Sequence, residues 1–216
     1  MGSESSKCEI GNIGIDETKK RMILDNHLSC IKDYLKNDIK FSENSGKIIY
    51  PSEISDFNEK IQEMLKEEKK NENEESNEDL VIKIKNKIDE LTEEEIYNKL
   101  SFINKKRTLS KFELKEIEWK YNSKINHYHR ILRLKFKCKK CQITKYVTMD
   151  KTARGKNISY GYKSYSCPPW WHWEKIPKNY YDFNDIIKYF SNASNYYHGV
   201  SNNCMHFAYS IWNKIK

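Results

Sequence analysis

The interval at which apolar residues recur changes once along this chain, and that change limits the folds open to it. Between residues 17 and 121 the apolar positions fall at helical spacing; from Asn126 onward they alternate. A stripe recurring every three to four residues buries one side of a helix, whereas alternation buries one face of a strand. The sequence therefore predicts an α+β protein. A helical N-terminal part precedes an antiparallel β-ribbon, and two further helices close the chain.

In the first part, Met22, Ile23, Leu28, Ile31, Leu35 and Ile39 share one helical face, and Asn44-Ser45-Gly46 with Pro51 ends the pattern. Ser55 or Asp56 is placed to cap a second helix, with Phe57, Ile61, Met64 and Leu65 on one side. Residues 66–79 are nearly all Lys, Glu and Asn, the composition of a solvated linker. Helical spacing returns from Leu80 to Leu100, and Thr92 with Glu95 forms a capping box that starts a new helix. Ser110 with Glu113 repeats that pattern and predicts a helix through Phe112, Leu114, Ile117 and Trp119 to about Tyr121. The expected division is a flexible segment 1–16, a charged helical extension 17–123 and an α+β domain 124–216. The extension carries no chemistry and reads as an arm for packing or for a protein partner. His27 and Cys30, at i and i+3, have metal-compatible spacing but read more simply as residues at the edge of a core.

Charge divides in the same place. From Lys124 to the end there are 17 Lys+Arg and 4 Asp+Glu, a net of +13; the first 123 residues hold the other 22 basic and 27 acidic residues, a net of −5. The C-terminal part is thus attracted to anionic surfaces, a phospholipid bilayer first among them. No DNA-reading motif is present, so nucleic acid ranks last among partners. No apolar run reaches the roughly 20 residues of a membrane span. No secretory signal opens the chain, so its six cysteines are expected in the reducing cytoplasm. Gly2 followed by Ser6 fits the N-myristoylation pattern, with Cys8 as a palmitoylation site or Lys19-Lys20-Arg21 as a basic second signal. Lipidation at Gly2 and Cys8 would place a cytoplasmic protein at the membrane.

The ribbon allows a register to be written from the sequence. His129 to Lys137 alternates and reads as one strand; Gln142 to Asp150 reads as the next, with Cys138-Lys139-Lys140-Cys141 between them. A two-residue turn at Lys139-Lys140 pairs residues whose numbers sum to 279. Leu132, Leu134 and Phe136 then share an apolar face with Val147 and Ile143. On the opposite face His129 lies across from Asp150, where a carboxylate orients an imidazole. His127 shares that face and is the alternative base. Lys-Lys is poor chemistry for a primed turn, which favours Gly or Asn. A Cys-x-x-Cys tip suggests another source of order, a structural zinc, for which Cys167 and His172 would complete a Cys₃His set. Unligated surface cysteines and redox chemistry are the other readings of the pair. Asn157 to Tyr165 is a third candidate strand, and Pro168-Pro169-Trp170-Trp171-His172-Trp173 a rigid aromatic loop. Asp182 or Asn184 caps a helix carrying Phe183, Ile186, Ile187 and Phe190.

The last stretch, Ser201 to Trp212, places a cysteine where a nucleophile works. Asn202 or Asn203 is a good N-cap, and Phe207, Ala208, Ile211, Trp212 and Ile215 form an apolar helical stripe. Cys204 falls in the first turn, where backbone N–H groups and the helix dipole favour the thiolate. His198 and His206 read as structural.

Asn203-Cys204-Met205-His206-Phe207-Ala208, preceded by Tyr197 and Asn202, resembles the Asn-Cys-x-His-Phe signature of the lecithin:retinol acyltransferase-like family, a branch of the circularly permuted papain-like (NlpC-type) thiol enzymes. The resemblance covers at most the last 90 or so residues. It implies a permuted papain-like domain whose catalytic histidine lies N-terminal to the cysteine, on a strand. His129 then matches the base, Asp150 its orienting group and Cys204 the nucleophile. The usual His-Trp-Gly start is absent, since Arg130 and Ile131 follow His129. The resemblance further implies acyl transfer or hydrolysis of a lipid ester through a Cys204 thioester, with no cofactor required. Two other functions fit the same residues: a peptidase acting on ubiquitin-like conjugates, and a non-enzymatic, membrane-tethered basic module with a zinc knuckle.

Overall fold

The computed structural model describes residues 14–24, 27–37, 39–49, 59, 63, 76–99, 102–122, 129–161 and 170–216. Gly2, Cys8, His127 and Cys167 lie outside the described residues, as does nearly all of the helix expected from Ser55. The chain forms two compact units, Ile23–Thr108 and Leu109–Lys216, the latter joined by the N-terminal residues through Met22. The division falls at 108/109, not at 123/124 as expected from the sequence.

The first unit is helical, with one small hairpin. Residues 17–41 are not one helix. α1 (Ile15–Ile23), which begins with the second unit, and α2 (Leu28–Asn37) are separate. Strands β1 (Lys40–Ser42) and β2 (Lys47–Ile49) follow, turning about Gly46 at φ 61°. α3 (Asn77–Glu90) starts at an Ser76 N-cap that accepts from Asp79 N–H, and buries Ile84 and Ile88. α4 (Glu93–Lys99) begins at the Thr92/Glu95 capping box, both hydrogen bonds of which are present. α5 (Phe102–Leu109) completes the unit.

The second unit is a five-stranded antiparallel sheet with helices against it, so the protein is mixed α+β. Its strands are β3 (Phe112–Asn122), β4 (His129–Cys138), β5 (Thr144–Thr152), β6 (Gly155–Tyr160) and β7 (Trp170–Lys175), in the spatial order β6-β5-β4-β3-β7. The Ser110/Glu113 pattern therefore does not start a helix: β3 is an eleven-residue strand next to the centre of the sheet. A register shift between Leu114 and Glu116 explains the misreading. Phe112 and Leu114 are buried at period two, the bulge adds one residue, and Ile117 and Trp119 resume the same face. The three-residue step from Leu114 to Ile117 imitates a helical interval. The aromatic stretch after Pro169 is likewise not a loop. It becomes edge strand β7, with Trp170 opposite Asn122 and Lys175 opposite Ile117. The third strand of the ribbon ends at Tyr160 instead of Tyr165.

β4 is the middle strand and is buried on both faces: Leu132, Leu134 and Phe136 on one, Ile131 and Arg133 on the other. α6 (Phe183–Asn192) and α7 (Cys204–Lys214) cover the first of these. Phe183 meets Phe136 edge-on at 5.4 Å between centroids, and Phe190 meets Phe207 at 6.0 Å, joining helix to sheet and helix to helix. α6 begins at a complete Asp182/Asp185 capping box. Lys156 of β6 reaches the carbonyls of Phe190, Ser191 and Ala193 at its far end, a cation at the negative end of the helix dipole. Among the described residues, no helix is long and apolar enough to cross a membrane.

Candidate active site

The β4–β5 register differs from the expected one by two residues. Ile131 pairs with Asp150 and Lys137 with Thr144, so paired numbers sum to 281. The connection is longer than Lys139-Lys140 alone: Cys138 N–H donates to Ile143 O at 3.0 Å, and Gln142 adopts φ 64°. A shift of two preserves the parity of a strand, so His129 and Asp150 remain on the same face. They are now diagonal neighbours, not directly opposed, and their side chains still meet, with His129 Nε2 2.8 Å from Asp150 Oδ2. The carboxylate is almost fully buried and the imidazole about a quarter exposed.

Cys204 reaches this pair from the helices. Asn203 caps α7, its Oδ1 accepting from Met205 N–H at 2.9 Å and His206 N–H at 3.3 Å. Cys204 is thereby the first residue of the helix, and the residue is 4% exposed. Pairing between β5 and β4 stops at Asp150 and Ile131, while β4 continues back to His129 beside β3 alone. The sulfur lies at this end of β4, hydrogen-bonded to the His129 ring and to the Arg130 backbone. Nε2 of His129 is taken by Asp150, which leaves Nδ1 for the sulfur.

The electrostatics favour an ion pair. Burial alone lowers the pKa of His129. Its hydrogen bonds to Asp150 and Cys204 and the charge of the carboxylate outweigh that, bringing it from 6.5 to about 9. Burial pushes the Cys204 thiol up, but the His129 ring, the Arg130 backbone hydrogen bond and the imidazolium charge bring it below its ordinary value. The two shifts act in the same sense, each favouring the thiolate–imidazolium pair over the neutral one, and the thiolate is the reactive state of a cysteine nucleophile. Tyr197 borders the same sulfur; burial first, and then the Cys204 charge, raise its phenol pKa.

Two supporting features were not visible in the sequence. Lys151, 1% exposed, donates to Tyr196 O and to Asn202 Oδ1 at 2.8 Å, holding the loop that enters α7. Its burial draws its pKa down. A charged residue beside Asp150 in sequence carries no sign that the fold will cover it. Arg130 is the second. Its guanidinium lies 5.2 Å from the ring of Trp119, which also meets Trp173, Tyr209 and Trp212 at 5.3, 6.2 and 6.1 Å. Trp173 and Tyr209 are more than half exposed. An open aromatic surface therefore adjoins the residue whose backbone touches the sulfur. A separate cavity of about 290 Å³ flanks α7, lined among others by Lys151, His206, Ser210 and Lys214. His206 Nδ1 lies 3.0 Å from Asn203 Oδ1, and His198 Nδ1 bonds Ser201, so both histidines tie down the loop and cap.

The expected Cys₃His zinc set does not assemble as written. Cys138 pairs with Phe112 at one end of β3, whereas His172 pairs with Lys120, eight residues further along that strand. At about 3.3 Å per residue the two stand roughly 25 Å apart. Cys138 and Cys141 are adjacent at the hairpin tip, and neither is in a disulfide. In the first unit, His27 and Cys30 are both buried at the start of α2.

Comparison of the chain with protein-family models, with curated proteins and with solved structures gave no match in any of the three. The functional reading therefore stands on the site itself.

Proposed function

We propose that the second unit is a thiol acyltransferase or hydrolase of the permuted papain-like kind, with Cys204 as nucleophile, His129 as general base and acid, and Asp150 as the group that orients the imidazole. The observation that carries this reading is the convergence of the three side chains from α7, β4 and β5 on one point. The order of histidine strand before cysteine helix agrees with the resemblance to the lecithin:retinol acyltransferase-like family.

In this reading the thiolate attacks the carbonyl carbon of an ester, and a C–S bond forms. The tetrahedral oxyanion collapses, the C–O bond breaks, and imidazolium His129 protonates the departing alcohol. Neutral His129 then takes a proton from water, an alcohol or an amine as it attacks the thioester. The C–S bond breaks, and thiolate and imidazolium are restored. Met205 and His206 N–H are committed to Asn203 Oδ1 and Phe207 N–H to Asn203 O, so oxyanion stabilisation falls to a donor outside this capping set. The substrate class is a lipid ester at an anionic membrane surface. Two features support it: the net charge of +13 from Lys124 onward, and the exposed Trp173 and Tyr209, residue types that settle at bilayer interfaces.

The test combines a thiol-directed covalent probe with substrate assays. Labelling of the native protein but not of Cys204→Ala, together with release of acyl chains from phosphatidylserine-containing vesicles, is the expected result. Labelling with cleavage only of ubiquitin-like conjugates would keep the nucleophile and replace the substrate. A Cys204 no more reactive than the chain's other cysteines would remove the enzyme.

A further inference from the structure

The tip of the β4–β5 hairpin has no part in that chemistry, yet it is built with unusual constraint. Cys138 N–H donates to Ile143 O and Gln142 N–H to Cys138 O, both at 3.0 Å, so the backbone folds tightly around the Cys138–Cys141 segment. Lys139 N–H donates to Lys111 O at 2.9 Å, which ties the tip to the entry of β3. Gln142 sits at φ 64°, a left-handed conformation that is unfavourable for a side-chain-bearing residue. Its amide donates back to Lys139 O at 2.9 Å. Neither Gly nor Asn is available to relieve the turn. The outcome of this folding is that the sulfurs of Cys138 and Cys141 lie within 4.8 Å of each other. Cys138 is fully buried, Cys141 partly so, and neither is oxidised to a disulfide.

Two thiols brought together across a Cys-x-x-Cys turn occupy two corners of a tetrahedron. Zinc–sulfur bonds of about 2.3 Å require sulfurs roughly 3.8 Å apart, a small adjustment within this turn. Lys139 and Lys140 at the tip offset the negative charge of two thiolates. Sulfur ligands in tetrahedral geometry select zinc over the harder divalent cations.

We propose that Cys138 and Cys141 bind one zinc ion as thiolates, supplying two of its ligands, and that the ion holds the hairpin tip in the conformation that sets the β4–β5 register. This site is independent of the chemistry at Cys204. The remaining coordination positions fall to other cysteine or histidine side chains of the chain.

The test is metal analysis of the full chain, purified with zinc present and desalted, alongside the spectrum of the cobalt(II)-substituted protein. One zinc per chain is expected, lost in Cys138→Ser and in Cys141→Ser and kept in Cys204→Ala. Cobalt should give tetrahedral d–d bands and thiolate charge-transfer absorption. Cys141→His, which preserves a ligand, should keep the metal while losing one thiolate's share of that absorption; it gives the reading if the serine variants do not fold. Serine and glutamine scans of the other cysteines and histidines then identify the remaining ligands. A metal-free native protein, zinc content unaffected by either serine variant, cobalt bound without thiolate charge transfer, or a Cys138–Cys141 disulfide in a non-reducing peptide map would each overturn the proposal.

Discussion

Replacing Asp150 by Asn tests how the site charges itself. The substitution keeps the shape of the side chain and removes the anion 2.8 Å from His129 Nε2. In the native protein the His129 pKa stands at about 9 against an ordinary 6.5. That difference corresponds to about 3 kcal/mol, at roughly 1.4 kcal/mol per pH unit. Burial works against the rise, so Asp150 and Cys204 together supply more than the net amount. Without the carboxylate, His129 should titrate near or below 6.5, and the imidazolium that lowers the thiol pKa should be gone at neutral pH. Two assays follow this. Nitrogen–proton correlation spectra report the His129 ring directly, and the rate of Cys204 alkylation against pH reports the thiolate. In Asp150→Asn the alkylation midpoint should move up by about one to two pH units, with acylation falling on the order of 10²-fold. The linkage has two signs. The raised His129 pKa stabilises the fold fully below about 6.5, and that share is lost as pH rises through about 9. The lowered Cys204 thiol pKa works the other way, its share being present above the ordinary thiol value and lost as pH falls, so the two offset each other in the native protein between 6.5 and 9. An alkylation midpoint that stays put, or a His129 ring that still titrates near 9 in the variant, would refute the ion-pair account.

Three further outcomes are expected. Asn203→Ala strips the cap from α7 and should cost about 1–2 kcal/mol in urea unfolding and slow thiol labelling; Asn203→Asp should restore most of the stability. Lys156→Met leaves the carbonyls of Phe190, Ser191 and Ala193 without their shared donor; calorimetry should show a loss of about 1–3 kcal/mol, with Cys204 reactivity unchanged. Phe136→Ala empties a fully buried position against Phe183 and should cost about 3–5 kcal/mol, the largest loss among these variants, by the same measurement.

Features written in local chemistry were legible from the residues. The Asp182, Thr92 and Asn203 caps act within one turn, so the sequence contains both partners of each hydrogen bond. The His129–Asp150 pairing was legible for a subtler reason. The turn was misjudged, but an even-numbered slip leaves every side chain on its face, and the diagonal neighbour remained within reach. β3 was not legible, because its bulge inserts one residue into an alternating pattern and produces a helical interval. β7 was hidden by its two prolines and cluster of tryptophans, which read as loop punctuation, whereas Trp170–Lys175 forms an edge strand after them. The buried cations were hidden most completely. Lys145 pairs with Phe136 and is buried, its ammonium donating to Arg21 O. Lys151 and Arg133 look like surface residues until distant segments supply their acceptors.

The lysines of the sheet bear on α7 at both ends. Lys151 of β5 grips Asn202 and Tyr196 just ahead of it, and Lys175 of β7 reaches the carbonyls of Trp212 and Ile215 at its close. The helix is thus a beam resting on two piers raised from strands three places apart in the sheet. Any event that pries loose the outer pier, β7, tilts the beam about the inner one. A reagent that modifies Lys175 would then detune the sulfur from the imidazole without touching either.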